Sequence, residues 1–423
     1  MTRMNEGVDY QRYDPFDPEM QQDPFPWYAA LREHAPVWRH PGTGIVFVSR
    51  HGLVSRVLAD TAVYSSRVAS LPTPGSSEAS RRIEAIMEEG VPLASTMLTE
   101  DPPLQTRYRK TVGKALSTRR ILALEPVIRE LTDEILESWP ERGRVDVMAT
   151  LAIPLPIRVI GHFLCMKPEV LQHVKRWSDA SVAGLGVMIS DAERIAAARS
   201  VVELQKYWQS EFEARRSAPN DDILSALSKA PFEDETGVER LLGMPELISI
   251  IQQLMVAGNE TTTKVINETF KLLLANPHWF ARMQADPGVT PLVVEEALRL
   301  SSPNQGMFRF VKQDTELDGV AIPKGAIVWV MFGSANRDEV VFPDPDDFDP
   351  ERPNLKESLA FGRGAHFCIG APLARLELRV LFEAVAKRLE SFALPAGYRL
   401  GYEPSFILRG LAGLELDVTK RAS

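Results

Sequence analysis

One of the two cysteines, Cys368, stands in a setting suited to a thiolate that binds a metal. Residues 361–370 read FGRGAHFCIG, with three glycines in ten residues. Glycine permits backbone turns closed to other residues and lets the chain approach a flat ligand closely. A helix predicted from Ala371 places its positive end beside the sulfur and favours the thiolate. Phe361 and Phe367 are expected to shield the sulfur. A thiolate bound to iron favours O–O cleavage in the opposite ligand.

The other cysteine, Cys165, ends an apolar helical stretch (HFLCM) and is interpreted as an ordinary core residue. A free core cysteine in a glycine-rich turn is also the alternative interpretation of Cys368. Two cysteines exclude a disulfide framework and an iron–sulfur cluster held by four thiolates. The sequence therefore offers no internal iron–sulfur source of electrons.

A second candidate site lies in the segment 257–262, AGNETT, within a long predicted helix. In mid-helix the hydroxyl of Thr261 can bond the carbonyl of Ala257 and loosen the local ladder, which opens a groove for a diatomic ligand. Glu260 places an acid beside this alcohol, an arrangement suited to proton delivery. The alternative interpretation is a solvated polar face.

A third group is ionic. Glu296 and Arg299 lie three residues apart on a helix predicted for 291–300, so they share one face. An isolated surface pair of this kind adds little stability. The segment 348–353, FDPERP, follows downstream and contains Arg352.

The pattern F-G-x-G-x-H-x-C-x-G around Cys368 resembles the haem-binding signature of the cytochrome P450 family, specifically its soluble bacterial members. The other segments follow in the order typical of the family, and the resemblance covers essentially the whole chain. It implies a mainly α fold with small β-sheets and one domain over 1–423, with a short flexible N-terminus of about 1–13. Haem b is then expected between the long central helix and the cysteine loop.

The resemblance also implies a role for each matching residue. Cys368 is expected to bind the iron, and Glu260 and Thr261 to serve oxygen activation. The haem-binding set further comprises Ala257, Gly258, Phe361, Gly362 and Gly370, with Arg109, Arg309 and His366 as propionate contacts. Glu296, Arg299 and Arg352 match a structural charged triad. Gln105 stands where bacterial relatives often carry a histidine, and it brings no charge.

Apolar spacing and turn residues predict the elements that position these groups. The longest predicted helix covers 244–275 and ends at Asn276–Pro277. Ser190 and Glu193 form a predicted capping box. Other helices are predicted at 27–33, 105–142 with breaks near Pro126 and Pro140, 155–163, 169–182, 191–216 and 371–392. Strands are predicted at 44–49, 320–322, 326–331 and, as an edge strand, 414–419. The stretch 71–80 is predicted to be a loop.

Composition limits the classes of function. The net charge of −9 disfavours nucleic acid as a partner, because phosphate binding needs a basic field. The polar first residues lack the apolar core of a signal peptide. The sequence contains no run of about 18 or more apolar residues, so we expect no helix that spans a membrane. We therefore expect a cytoplasmic monomer.

The electron supply must come from another protein, since no dinucleotide-binding loop stands out in the sequence. One stretch, 102–124, is basic and contains no acid. Its alternative interpretation is a solvated helix face. The resemblance implies a ferredoxin, reduced by NAD(P)H through a ferredoxin reductase, that docks on this basic face by charge attraction. We define the basic face as Arg107, Lys110, Lys114, Arg119 and Arg120. Arg363, Arg375 and Arg379 are expected to extend it.

The family also suggests which apolar residues line the substrate pocket: Met97, Leu98, Leu185, Met188, Leu254, Met307, Phe308 and Ile407. They predict a lipophilic substrate such as a terpenoid, steroid or fatty-acid derivative, hydroxylated or epoxidised with O2. Two alternatives are a peroxide-driven peroxygenase and a haem protein that binds without turnover. The Glu260–Thr261 pair disfavours both.

Overall fold

The computed structural model describes residues 8–67, 77–183 and 189–422, and helices dominate this part of the chain. The α-helices are α1 (Pro18–Gln22), α2 (Phe25–His34), α3 (His51–Ala59), α4 (Ser77–Glu88), α5 (Leu104–Ala115), α6 (Thr118–Leu122), α7 (Glu125–Ser138), α8 (Pro154–Phe163), α9 (Leu171–Val182), α10 (Asp191–Ser217), α11 (Ile223–Lys229), α12 (Met244–Ala275), α13 (Pro277–Ala285), α14 (Thr290–Ser301), α15 (Phe332–Ala335) and α16 (Ala371–Arg388). The predicted fold class, mainly α with small β-sheets, is confirmed.

The strands form small sheets at the periphery. They are β1 (Val37–Arg39), β2 (Val46–Val48), β3 (Tyr64–Ser65), β4 (Arg142–Asp146), β5 (Pro231–Glu233), β6 (Glu239–Leu241), β7 (Gly306–Val311), β8 (Thr315–Leu317), β9 (Val320–Ile322), β10 (Ile327–Met331), β11 (Leu389–Ala393) and β12 (Glu415–Lys420). The largest sheet has the order β1-β2-β10-β7-β3, and β2 pairs with β10 in parallel. β11, β12 and β4 form a second sheet, and two hairpins complete the set.

Helix α12 is the centre of the largest hydrophobic cluster. Pro245 occupies its first turn, and Glu246 accepts a hydrogen bond from the Gly243 amide at 2.6 Å, which satisfies a free donor at the N-terminus. Helices α8, α9, α10, α14 and α16 pack around it. Because α12 is enclosed on most sides, an exposed residue in its middle, such as Ala257, is a candidate for facing a cleft.

The sequence predicted most elements correctly, including the full span of α12 and the capping box at Ser190 and Glu193. The region 105–142 divides into α5, α6 and α7, because Ser117 caps a new helix and Pro126 opens the next one rather than ending it. The predicted helix 371–392 ends at Arg388, and 389–393 form β11. The predicted edge strand near 414–419 is β12, the middle strand of its sheet.

Two predictions at loops also differ. Of the predicted loop 71–80, residues 77–80 begin α4, and 71–76 lie outside the described residues. The stretch 1–13 was expected to be flexible, but Tyr10–Arg12 form a 3-10 turn. Tyr13 is buried against Trp27 and Tyr28. Aromatic burial therefore anchors the described part of the N-terminus to the core.

Helix α16 carries one buried carboxyl that no ion pair compensates among the described residues. Glu377 is 2% exposed, and its Oε1 has no hydrogen-bond partner in the described part of the chain. Burial raises the pKa of Glu377 to about 8. The side chain is therefore protonated at neutral pH, because the charged form would be poorly solvated.

Glu377→Gln should remove a pH-dependent loss of stability. The folded carboxyl has a pKa of about 8, against about 4.3 when unfolded, so wild-type stability falls as the pH rises between these values. The variant should be more stable than the wild type at pH 8 by about 4–5 kcal/mol, and similar to it near pH 4. Urea unfolding at several pH values measures the difference. The exposed Glu390→Gln serves as control and should keep the wild-type slope; a wild-type slope in Glu377→Gln would contradict the prediction.

Candidate functional site

The cysteine loop is shaped by glycines and tied back on itself. Gly364 has a φ of +74°, and a β-carbon there would lie 3.1 Å from the carbonyl oxygen of Leu58, so only glycine fits without a shift. The amide of Cys368 donates to the carbonyl of Phe361 at 2.9 Å. Phe367 is 38% exposed, so it shields the sulfur less than predicted.

The sulfur of Cys368 faces the first turn of α16. The backbone amides of Gly370 and Ala371 donate to it and lower the pKa of the thiol, as the predicted helix end requires. Arg109 and Arg375 act in the same direction, but burial has the larger effect and raises the pKa overall. The helix end alone therefore does not produce the thiolate. A positive partner such as a metal ion is needed to stabilise the anionic sulfur.

Three basic groups converge beside this loop. Arg309 on β7 is 4% exposed, and burial lowers the pKa of its guanidinium to about 10. Burial, followed by the charges of Arg309 and Arg109, lowers the pKa of His366 to about 4. The His366 Nε2 atom is buried and has no hydrogen-bond partner among the described residues. Asp101 offsets part of this positive field at Arg309 and His366.

This cluster fits the acidic edge of a haem. Neither Arg109 nor Arg309 forms an ion pair within the described ranges, although both are partly or fully buried. Guanidinium groups bind carboxylates with two parallel hydrogen bonds, which suits propionates. No group of three or more His, Cys, Asp or Glu side chains in the described chain could hold a metal ion. Cys368 would supply the one thiolate that the predicted haem iron binds.

Gln105 has a structural role that the sequence did not predict. The side chain is 1% exposed, and its Nε2 donates to the carbonyl of Ala365 at 2.7 Å. It thus fastens α5, which carries Arg109, to the cysteine loop. Nothing in the sequence pattern indicates this contact, because the two residues are 260 positions apart.

The middle of α12 contains the hydrogen bond between Thr261 and Ala257 that the sequence predicts, and the helix continues through it without a break. Thr261 Oγ1 donates to the carbonyl of Ala257 at 2.9 Å, and Thr262 Oγ1 donates to Gly258 at 3.0 Å. Ala257 is exposed and Thr261 is partly exposed. Two consecutive carbonyls thus accept an extra hydrogen bond, and the helix presents an open face at this point.

Glu260 points away from Thr261. Its Oε1 lies 3.5 Å from Lys175 Nζ on α9, and the side chain is buried. Burial raises the pKa of Glu260, while Lys175 and Lys264 partly offset this effect. Neighbouring residues on a helix diverge by about 100°. The two groups therefore exchange a proton only through a water or a side-chain rotation.

Glu296, Arg299 and Arg352 are brought together in the interior. Arg299 binds both oxygens of Glu296 at 2.7 Å, and Arg352 Nε lies 3.3 Å from Oε1. Both guanidiniums also donate to backbone carbonyls, among them that of Asp347. All three side chains are almost fully buried, so this is not the weak surface pair considered from sequence.

The predicted pocket residues differ in their surroundings. Leu254 is buried on α12 and Met97 is buried in the segment bonded to it, while Leu98 is 45% exposed. Leu185 and Met188 lie outside the described residues. Met307 shares a face of β7 with Arg309, since alternate strand residues point the same way.

Phe308 lies on the opposite face of β7 and packs on Trp329 at 4.5 Å between ring centroids. Ile407 belongs to the same hydrophobic cluster, together with Phe406. Met307 packs against a different hydrophobic cluster. The two faces of β7 thus contact different parts of the core, and the assignment of these residues to the pocket stays a prediction.

The segment 94–97 bridges the two walls of the site. The amide of Ala94 donates to Ser249 Oγ at 2.8 Å, and Thr96 Oγ1 donates to Gln253 Oε1 at 3.2 Å, both on α12. The backbone of the next residue, Met97, forms a hydrogen bond with His366. The sequence singled out only Met97 in this segment, because the contacts of Ala94 and Thr96 are polar and not local.

The basic face is smaller than predicted. Arg107 pairs with Glu233 at 3.0 Å and Arg120 pairs with Asp221 at 3.0 Å. Lys110, Lys114 and Arg119 are exposed and form no ion pair in the described part of the chain. The three arginines expected to extend the face are already paired internally: Arg363 with Glu357, Arg375 with Glu295, and Arg379 with Glu125 and Glu383.

Among the described helices, none is long and apolar enough to cross a membrane.

Comparison with known proteins gives consistent matches. Residues 288–397 match the sequence pattern of the family described as "Cytochrome P450". The chain is 34% identical to 6-deoxyerythronolide B hydroxylase of Saccharopolyspora erythraea, over 93% of this chain and 97% of that protein.

Solved structures agree. Cytochrome P450 CYP109Q5 from Chondromyces apiculatus has a TM-score of 0.83 and 34% identity, covering 99% of this chain and 100% of that one. CYP109E1 from Bacillus megaterium in complex with testosterone has a TM-score of 0.79 and 30% identity, covering 93% and 99%.

Glu296→Gln should destabilise the protein strongly, because two buried guanidiniums would face a neutral amide. We expect a loss of about 3–5 kcal/mol in the free energy of unfolding, measured by urea denaturation. Glu351→Gln breaks the exposed pair with Arg282 and is the matched control, with an expected loss below about 1 kcal/mol. Equal losses of unfolding free energy in both variants would show that the buried cluster stabilises the protein no more than an exposed ion pair does.

Proposed function

This chain belongs to the cytochrome P450 family of monooxygenases, and we propose that it hydroxylates or epoxidises a lipophilic small molecule with O2 and electrons from a separate ferredoxin. The observation that carries the proposal is the convergence of Cys368, Arg109, Arg309 and His366 on one side of α12. A partly buried thiol that receives two amide hydrogen bonds, beside basic groups without a full set of counter-charges, suits an iron porphyrin.

We assign haem b to this site. Cys368 would bind the iron, and Arg109, Arg309 and His366 would bind the propionates. The glycine-rich backbone at Gly362 and Gly370 allows close approach of the porphyrin. When bound, haem supplies the redox chemistry that inserts one oxygen atom from O2 into a C–H or C=C bond.

The proposed proton route begins at Lys175 and Asp179 on α9, which form an ion pair at the protein surface. Glu260 accepts a proton there more readily than an ordinary carboxyl does, because burial raises its pKa. Its carboxyl then passes the proton to Thr261 Oγ1 through a water or after a side-chain rotation, and Thr261 Oγ1 is held by Ala257. The pair supports O2-dependent turnover over the peroxide-driven alternative. Product formation with NAD(P)H and ferredoxin, compared with peroxide alone, separates these two functions.

The substrate class follows from the apolar walls. Met97, Leu254 and Met307 contribute neutral, apolar side chains. The charged residue on the same face of β7, Arg309, is assigned to a propionate. One relative is a hydroxylase of 6-deoxyerythronolide B, and one structural neighbour was solved with testosterone. We therefore propose a large lipophilic ring compound, of the steroid or macrolide kind, ahead of a terpenoid or fatty-acid derivative.

The proposed electron donor is an acidic ferredoxin, supplied by a reductase. Lys110, Lys114 and Arg119 are the members of the basic face that keep their charge free of internal partners, so they would attract it. Leu122 stands beside them and is 58% exposed, which offers an apolar contact at the centre of the docking site. We place the enzyme in the cytoplasm as a monomer.

Cys368→Ser tests the proposed function directly. The reduced, CO-treated wild type should show the absorption band typical of thiolate-bound haem, and the variant should lose it because a serine hydroxyl is not a thiolate. Cys165→Ser is the control, because that cysteine lies outside the cleft, and it should keep the band. A thiolate-type band in Cys368→Ser would overturn the assignment of the iron ligand.

The double variant Lys114→Glu, Arg119→Glu should slow reduction by ferredoxin about tenfold or more at low ionic strength, because charge attraction accelerates docking. The difference should shrink in high salt. Stopped-flow reduction measures the rate, and a substrate titration should show unchanged binding. The control variant Arg216→Glu reverses the charge of an exposed arginine on α10, and ferredoxin should reduce it at the wild-type rate. Equal rates for wild type and double variant at low salt would count against this docking site.

A further inference from the structure

Among the accessible positions in the middle of α12, which also include Val256, Gly258 and Thr263, three follow one line. Gln253, Ala257 and Thr261 are spaced four residues apart and keep partial or full exposure. Such spacing places them on one face of a helix. Gln252 and Asn259, which bond to α9, are buried instead. The accessible line therefore marks the border of α12 with the cleft, and Gln253 is its polar member furthest from Thr261.

The side-chain amide of Gln253 is fixed on one side and free on the other. Thr96 Oγ1, which is fully buried, donates to Gln253 Oε1 at 3.2 Å. The bond from Ala94 to Ser249, one helical turn away, holds the same segment against α12. Within the described ranges, no protein group accepts a hydrogen bond from Gln253 Nε2. A preoriented N–H donor is thus available at the edge of the cleft.

We propose that Gln253 Nε2 donates a hydrogen bond to a carbonyl oxygen of the substrate and so selects which carbon is oxidised. This inference rests on the proposed function and deepens it. At 1.5 Å of rise per residue, Gln253 lies about 6 Å along the helix from Ala257 and about 12 Å from Thr261. The substrate is therefore a neutral, mainly apolar molecule with a ketone or lactone oxygen about 6–12 Å from the oxidised carbon.

The surroundings favour a neutral carbonyl over a charged group. Met97 and Leu254 are apolar neighbours, and the nearby acid, Glu260, is already engaged by Lys175. An amide donor that a ligand covers without accepting its hydrogen bond loses its hydration at a cost. The site should consequently discriminate against ligands of the same shape that lack the oxygen.

Two pairs of ligands that differ by one oxygen test the proposal: 5α-androstan-3-one with 5α-androstane, and cyclopentadecanone with cyclopentadecane. Dissociation constants come from the ligand-induced change of the haem absorption spectrum and, independently of the haem, from equilibrium dialysis. The variants are Gln253→Leu, which removes the donor, and Gln253→Glu, which keeps the shape and the Thr96 bond but replaces the donor with an acceptor. Thr96→Val frees the amide to rotate while leaving the donor in place.

For at least one pair, both Gln253 variants should weaken ketone binding about 5–10-fold and change hydrocarbon binding less than about twofold. Thr96→Val should weaken ketone binding about 2–3-fold, because only the orientation of the donor is lost. Equal ketone affinity in wild type and Gln253→Leu overturns the proposal. So does the absence of ketone binding in a wild type with a thiolate-type CO spectrum. Absence of that spectrum would instead contradict the proposed function.

Discussion

Positive charge buried without an equal negative charge is the condition around which the site is organised. A guanidinium or imidazolium in the interior is costly unless an anion meets it. Arg309 and His366 both show the effect, since burial lowers the pKa of each. They come from a strand and a loop, and Arg109 comes from a helix. Folding thus gathers basic groups that only an acidic ligand can fully compensate.

The cluster of Glu296, Arg299 and Arg352 shows the contrasting case. Its charges are equally buried, but the carboxylate and several backbone carbonyls satisfy the two guanidiniums. Asn336 extends the cluster, because its carbonyl accepts from Arg299 and its side chain accepts from the amide of Leu359, just before the cysteine loop. The cluster of Glu296, Arg299 and Arg352 finds its counter-charge and hydrogen-bond acceptors within the protein and contacts the segment before the cysteine loop. The cluster of Arg109, Arg309 and His366 lacks an equal counter-charge and is proposed to bind the cofactor.

Local patterns predicted what depends on local physics. The period of α12, the capping box of α10 and the hydrogen bond from Thr261 to Ala257 all follow from residues within one or two turns. Strand β12 was placed at an edge because its pairing with β4 joins residues more than 260 positions apart.

The same limit applied at the candidate site. Glycine spacing and motif order identified Cys368, whereas the bonds from Gln105 to Ala365 and from Thr96 to Gln253 were not predicted because each joins residues far apart in the chain. The packing of Phe308 on Trp329 was equally out of reach, because the sequence does not show which face of β7 meets which part of the core. The internal pairing of Arg363, Arg375 and Arg379 was equally invisible without the fold.

The short bridge from Thr96 to Met97 has a thermodynamic consequence. One residue bonds the wall of α12 through Gln253, and the next bonds His366 among the basic groups. If a ligand that shifts Gln253 also shifts His366 through this bridge, the reverse must hold with the same coupling free energy. The reduction potential of the iron and the affinity for substrate would then depend on each other through the hydrogen bonds of Thr96 and Met97.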